Sequence, residues 1–206
     1  DKPPPFLIKE ESFIETLQIS CVAYDPDHLN IVIRDADKPR YEMPHEEPYP
    51  HARNPQNISI EESNFEVFVK YDPFDIIITR KTTDEVIFKF TDRFIYTDLY
   101  IEFSFDTPTN HIYGFGERLR NLQFNPGTYT LYMLDQSGEI DHGKPGNNQQ
   151  GHHSMYLMRE QSGKYHVNLL RNINAQEIVI SKENKVTWKM IGGVIDLNFF
   201  LGESPE

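Results

Sequence analysis

Leu99-Tyr100-Ile101-Glu102-Phe103-Ser104-Phe105 alternates without a break, with Leu99, Ile101, Phe103 and Phe105 on one side and Tyr100, Glu102 and Ser104 on the other. A period of two residues sends successive side chains to opposite faces of an extended strand, so this segment offers one apolar face to a core. The same period runs outward in both directions. Upstream it holds at Leu17, Ile19, Cys21 and Ala23, then at Leu29, Ile31 and Ile33, Phe65 to Val69, Phe74 to Ile78, and Val86 to Phe90. Downstream, strands are predicted at Tyr129 to Leu134, Ser154 to Met158, Tyr165 to Leu170, Glu177 to Ile180, Val186 to Met190 and Val194 to Leu201. Turn chemistry separates them, as at Asp25-Pro26-Asp27, Asp72-Pro73, Asp106-Thr107-Pro108, Asn125-Pro126-Gly127 and Gln161-Ser162-Gly163. No window of helical length carries apolar residues three and four apart. About a dozen short strands with short connections predict an all-β antiparallel sandwich.

Composition narrows the function classes. Among 206 residues, 32 Asp and Glu stand against 20 Lys and Arg, a formal net charge of -12. A nucleic-acid binder needs a basic face to neutralise phosphate, and anionic lipid asks for the same sign. Neither partner fits. No run approaches the ~18 apolar residues of a membrane span, so no membrane insertion is expected. Aromatic residues make up 13%, which supplies a core that a disordered chain lacks. One domain over residues 1–206 is the expectation, with the Pro-rich 1–5 as a linker-like lead-in and the chain itself a processed product or excised piece. Cys21 is the lone cysteine, so no internal disulfide or thiolate zinc site can form. Asn57-Ile58-Ser59 is a glycosylation sequon, pointing to the secretory route.

Two stretches break the strand rhythm. Asp37 to Gln56 holds five prolines and reads as a surface excursion. Asp135 to Gly151, DQSGEIDHGKPGNNQQG, is a Gly- and Asn-rich loop, and long loops in compact domains are commonly functional. Its carboxylates Asp135, Glu139 and Asp141, with Glu117 before it, have the residue type a glycosidase pair needs, but in a chain with 32 acids a solvated loop face is the better reading for any one of them. Asp196 interrupts an apolar run and reads as structural. His142, His152, His153 and His166 lack ligand spacing, so no metal is expected. Gly114-Phe115-Gly116 lacks the continuation of a phosphate cradle and reads as a glycine-kinked strand entrance. No nucleophile-elbow sequence is present, and no cofactor is implied.

Ile112-Tyr113-Gly114-Phe115-Gly116-Glu117-Arg118 resembles the Tyr-Gly-Leu/Phe-Gly-Glu run in the N-terminal domain of glycoside hydrolase family 31, the α-glucosidase family. Tyr129 to Asp135 is similar to its Tyr-Thr-Leu-Trp-Asn-x-Asp strand, and Gly151-His152-His153 to its Tyr-Gly-x-His-Pro. Asn172 to Ala175 resembles Asn-Ser-Asn-Ala, Ile191 to Glu206 the closing Ile-Gly-Gly run, and Arg40 to Pro44 the family's Arg-Tyr-Glu-Val-Pro. Phe74 to Phe88 is similar to a strand pair of the family.

That resemblance implies a galactose-mutarotase-like β-sandwich, part of a retaining α-glucosidase acting on terminal α-linked glucose. It implies that the catalytic aspartates lie on a (β/α)8 barrel beginning after Gly202 to Glu206, so this chain should be inactive alone and contains no catalytic residue. The barrel is the implied partner, with an α-glucoside or oligosaccharide as substrate. Residues 135–151 would face the barrel mouth, with Asp135 as a sugar contact and Ser137 as a second. Lysosomal, endoplasmic-reticulum or extracellular placement is implied. Tyr132 replaces the family's Trp, Met133 its Asn, His153 its Pro and Ile173 its Ser. A free-standing carbohydrate-binding module using Tyr132, or a purely structural sandwich, is the alternative.

Overall fold

The computed structural model describes residues 13–44, 57–118, 121–132, 148, 151 and 153–205. Among the described residues thirteen strands follow one another, with a 3-10 turn at Ile60–Glu62 between the second and third. They are β1 (Leu17–Asp25), β2 (His28–Asp35), β3 (Phe65–Tyr71), β4 (Phe74–Arg80), β5 (Glu85–Tyr96), β6 (Ile101–Asp106), β7 (Ile112–Gly114), β8 (Gly127–Leu131), β9 (Met155–Arg159), β10 (Tyr165–Leu170), β11 (Gln176–Ile180), β12 (Lys185–Met190) and β13 (Ile195–Gly202). Six form one sheet in the order β1-β2-β13-β10-β9-β7, and seven form the other in the order β3-β4-β5-β6-β12-β11-β8. Every strand pair is antiparallel. The all-β antiparallel sandwich read from the alternation is the observed architecture.

The core lies between the sheets and is built from the alternating residues. Ile101, Phe103 and Phe105 of β6 are fully buried, as are Trp188 of β12 and Phe88 of β5. Across the gap, Tyr156 of β9 stacks on Phe105 with centroids 6.0 Å apart, and Phe199 of β13 meets Phe88 edge-on at 5.2 Å. Rings in tilted and edge-on contact add attraction beyond the area they remove from water. β5 runs longer than the Val86 to Phe90 alternation, because a register shift between Phe90 and Phe94 lets both rings face the core.

The outward faces differ in chemistry. On the seven-stranded sheet the outward residues of β6, β8 and β12 are polar, Thr128 and Thr130, Lys185, Thr187 and Lys189, Glu102 and Ser104, while β11 adds Glu177 and Val179 and the β3–β5 end shows Phe68, Ile77 and Val86. On the six-stranded sheet, β9, β10 and β13 turn Met155 and Leu157, Val167 and Leu169, and Phe200 outward, with partner pairs Leu157–Val167 and Val167–Phe200 in register. The polar residues in that row, Asn198 and Asp196, are buried and consumed internally. Asp196 takes Arg171 at 3.1 Å and the Asn30 amide at 2.7 Å. Its reading as structural agrees with this network.

Candidate functional site

Gly114-Phe115-Gly116 does not open a strand as the sequence suggested. It leaves one: β7 ends at Gly114, and Gly114, Phe115 and Gly116 all have positive φ, at 117°, 56° and 81°. A three-residue strand is too short for alternation to reveal, so β7 escaped the sequence reading. Gly114 must lack a side chain, since a Cβ there would sit 2.5 Å from the Met155 carbonyl oxygen. The sharp reversal buries Phe115 against Tyr156 and Trp188 and aims Glu117 and Arg118 at both stems of the segment between β8 and β9.

On the incoming stem, the Arg118 guanidinium donates to the Thr130 carbonyl and stands 5.6 Å over the Tyr129 ring, while its Nε donates to Phe115 O at 3.0 Å. On the returning stem, the buried Asn148 amide donates to the Tyr132 carbonyl at 3.0 Å and its Oδ1 packs on Gly116. Glu117 accepts from the Gly151 N–H at 3.2 Å, and its own N–H donates back to Gly151 O at 3.4 Å. A fixed cation and a carboxylate on one six-residue reversal, with the Asn148 amide on the returning stem, therefore hold the entrance and exit of residues 133–147.

Asp135 and Ser137 lie outside the described residues, as do Met133, Glu139, Asp141, His142 and His152. Tyr132 is described: it has left β8, which stops at Leu131 rather than at Leu134, and its side chain is 41% exposed. Ile173 and Ile191 are exposed as well. Register places Ala175 across from Ile191, as the Ile191 N–H to Ala175 carbonyl bond shows, and beside Tyr132, since Gln176 pairs with both Met190 and Leu131. Asn57 is exposed and lies at the opposite border of the molecule's strand order, beside β1. Glu117 was legible in the sequence only as one more acid near a loop. Arg118 and Asn148 carried no sequence signal of their role, because each acts on a main-chain carbonyl.

His166 is not a metal ligand candidate in its surroundings. Its Nδ1 lies 3.0 Å from Glu160 Oε1, and Glu160 also receives Arg80 through Nε at 2.8 Å and a terminal nitrogen at 2.7 Å. All three side chains are buried. Burial pushes the Glu160 carboxyl up, but hydrogen bonds from His166 and Arg80 outweigh it and hold it below the ordinary range. Burial lowers His166 more than Glu160 raises it, so the ring is neutral, donating from Nδ1. Among the described residues no three His, Cys, Asp or Glu side chains gather as a metal site.

Residues 18–165 match the profile of the glycosyl hydrolase 31 N-terminal galactose mutarotase-like domain. The chain belongs to that family. As a family 31 domain it is 35% identical over 205 residues to lysosomal acid alpha-glucosidase of Tetrahymena pyriformis, covering 98% of this chain and 22% of that protein. It is 31% identical to human intestinal sucrase-isomaltase, covering 94% of this chain and 10% of that protein. The domain thus spans about a fifth or less of these relatives. Among solved structures, the Flavobacterium johnsoniae family 31 dextranase complexed with isomaltotriose superposes with a TM-score of 0.68 at 13% identity, over 94% of this chain and 26% of that one. The glucosidase II heterodimeric complex gives 0.67 at 13% identity, over 97% and 30%. These likenesses establish the mutarotase-like sandwich for the family 31 domain.

Proposed function

We propose that this chain is the N-terminal supporting domain, spanning residues 1–206, of a retaining α-glucosidase that hydrolyses terminal α-linked glucose in the secretory pathway. Hydrolysis takes place on a (β/α)8 barrel joined through Gly202 to Glu206, by way of a glycosyl-enzyme intermediate formed on a barrel aspartate. This domain alone is inactive. It carries residues 135–151 to the barrel mouth, where Asp135 accepts hydrogen bonds from vicinal sugar hydroxyls and Ser137 adds a second contact. The clamp formed by Glu117, Arg118 and Asn148 supports this reading, since it fixes both stems of that segment.

The observation that carries the proposal is the outward face of β9, β10 and β13. An antiparallel sheet that ends a sandwich ordinarily shows water a polar face, as β8 and β12 of the seven-stranded sheet do. The six-stranded sheet instead turns Met155, Leu157, Val167, Leu169 and Phe200 outward in adjacent register. A contiguous apolar patch of that kind is a surface built to be covered, and the barrel is the body that covers it. The test is a pair of substitutions in the full-length protein. Val167→Lys should lower the unfolding midpoint and the yield of active enzyme, by about 2 kcal/mol or more for a cation forced into an interface, while Thr128→Lys, at an exposed position on the other outward face, should be neutral. Equal effects from the two would overturn the docking assignment.

A further inference from the structure

β1 is an outer strand of the six-stranded sheet, and at nine residues it is the longest strand bordering either sheet. Border strands present unpaired backbone groups that recruit other chains, and proteins blunt them with lysine, proline, charge or brevity. β7 and β8 are short, with three and five residues, and β3 carries Glu66 and Lys70. β1, LQISCVAYD, has none of these devices before the register shift between Ala23 and Asp25 that disturbs its end. One bridge, from the Ile58 N–H to the Ala23 carbonyl at 3.0 Å, is the only backbone pairing on its open side among the described residues.

The segment making that bridge is the sequon itself. Asn57 and Ser59 are exposed, and the Asn57 amide has no hydrogen-bond partner among the described residues. Beyond them the backbone is tied by side-chain hydrogen bonds. Glu62 accepts from the Ser59 N–H at 3.1 Å, and Lys81 Nζ donates to the carbonyls of Ile60, Glu61 and Ser63 at 2.9, 2.9 and 2.8 Å. A shallow cleft lies between Cys21 to Ala23 and Asn57 to Glu61. We propose that Asn57 carries an N-linked glycan that stands over this cleft and shields the open edge of β1. The proposed docking face begins at β13, two strands further across the sheet, roughly 10 Å at ordinary strand spacing.

This inference rests on the secretory part of the proposed function, and the experiment separates the two. The full-length protein is expressed in a eukaryotic secretory host, treated with peptide N-glycosidase in isotopically heavy water, and mapped by mass spectrometry. The peptide holding Asn57 should carry the heavy label at that position. Asn57→Gln and Ser59→Ala should abolish the label, and Ser59→Thr should keep it. An unlabelled Asn57 in the secreted wild type overturns the site. A labelled Asn57 in the host, with bare asparagine in protein from its own source, overturns the secretory reading instead. Light scattering tests the shielding: Asn57→Gln should self-associate at concentrations where the glycosylated protein does not. Identical scattering from the two overturns the edge-capping role.

Discussion

Gly116 and Asn148 compete for one space: a Cβ on Gly116 would lie 2.0 Å from Asn148 Oδ1 and 2.8 Å from Leu131 Cδ2. With its φ of +81°, Gly116 is excluded from substitution on both conformational and steric grounds. Gly116→Ala should therefore destabilise the chain by about 1–3 kcal/mol, and it should loosen the returning stem. Denaturant unfolding measures the first effect. Faster proteolysis between Tyr132 and Gly151 measures the second. A variant as stable and as resistant as the wild type would remove the clamp from the account.

Asp135 is the residue by which the proposed sugar contact stands or falls. A hydrogen bond to a charged group contributes about 1.5–3 kcal/mol, so Asp135→Asn in the full-length enzyme should cut kcat/KM by about 10- to 100-fold. Ser137→Ala should cost less. The unfolding midpoint should not move. Unchanged kinetics would leave the domain a purely structural one.

Glu160 is enclosed by Arg80 and His166, with a bidentate guanidinium on its carboxylate. Removing one partner of a buried ion pair strands the other charge. Glu160→Gln should cost about 3–5 kcal/mol, whereas replacing Arg80 and Glu160 together with apolar residues of similar volume should cost less than that single change. A double-mutant cycle by chemical denaturation decides it.

His166 sets the direction of the pH response. Its folded pKa is lowered by burial, so on acidification the unfolded chain takes up a proton first. Stability should be full above about pH 6.5, the ordinary histidine value, and should fall as pH drops below it, by no more than about 1.4 kcal/mol per unit. Glu160, whose folded pKa is depressed, acts in the same direction at lower pH: its contribution is present above its unfolded value and lost as pH falls below that. His166→Gln should flatten the upper part of the curve, between pH 7 and 5, and leave the lower part. An equally steep variant would assign the slope to other groups.

Much of the fold was legible because alternation survives wherever a strand has five or more residues. Ile101 to Phe105 and Val186 to Met190 announced their faces directly, and their cross-strand register follows from those faces. What stayed hidden has physical reasons. β7 has three residues, one of them glycine. The second half of β5 passes through Thr91-Asp92-Arg93, which interrupts the period where the strand shifts register. Arg80 and Glu160 are eighty positions apart, and only the packing of β4 against the turn after β9 brings them together. Asp196 was readable as structural because an acid inside an apolar run needs a partner. That its partner is Arg171 was not readable. At the candidate site, the motif from Tyr113 to Arg118 could be seen as a resemblance, but its work of gripping two loop stems runs through main-chain carbonyls, which no residue pattern records.

The Arg80 cluster also gives the sandwich a mechanical property. Arg80 belongs to the seven-stranded sheet, while the Tyr165 and Gly202 carbonyls it reaches belong to the six-stranded one. The aromatic contacts between the sheets are individually weak and can re-form after a small slip; the guanidinium's charged contacts cannot. Any shear of one sheet over the other must first pull a cation off a carboxylate and two carbonyls in a place where water cannot replace them. The layers should then resist sliding until that lock breaks and come apart together, so amides of β4, β10 and β13 should exchange with solvent as one cooperative class.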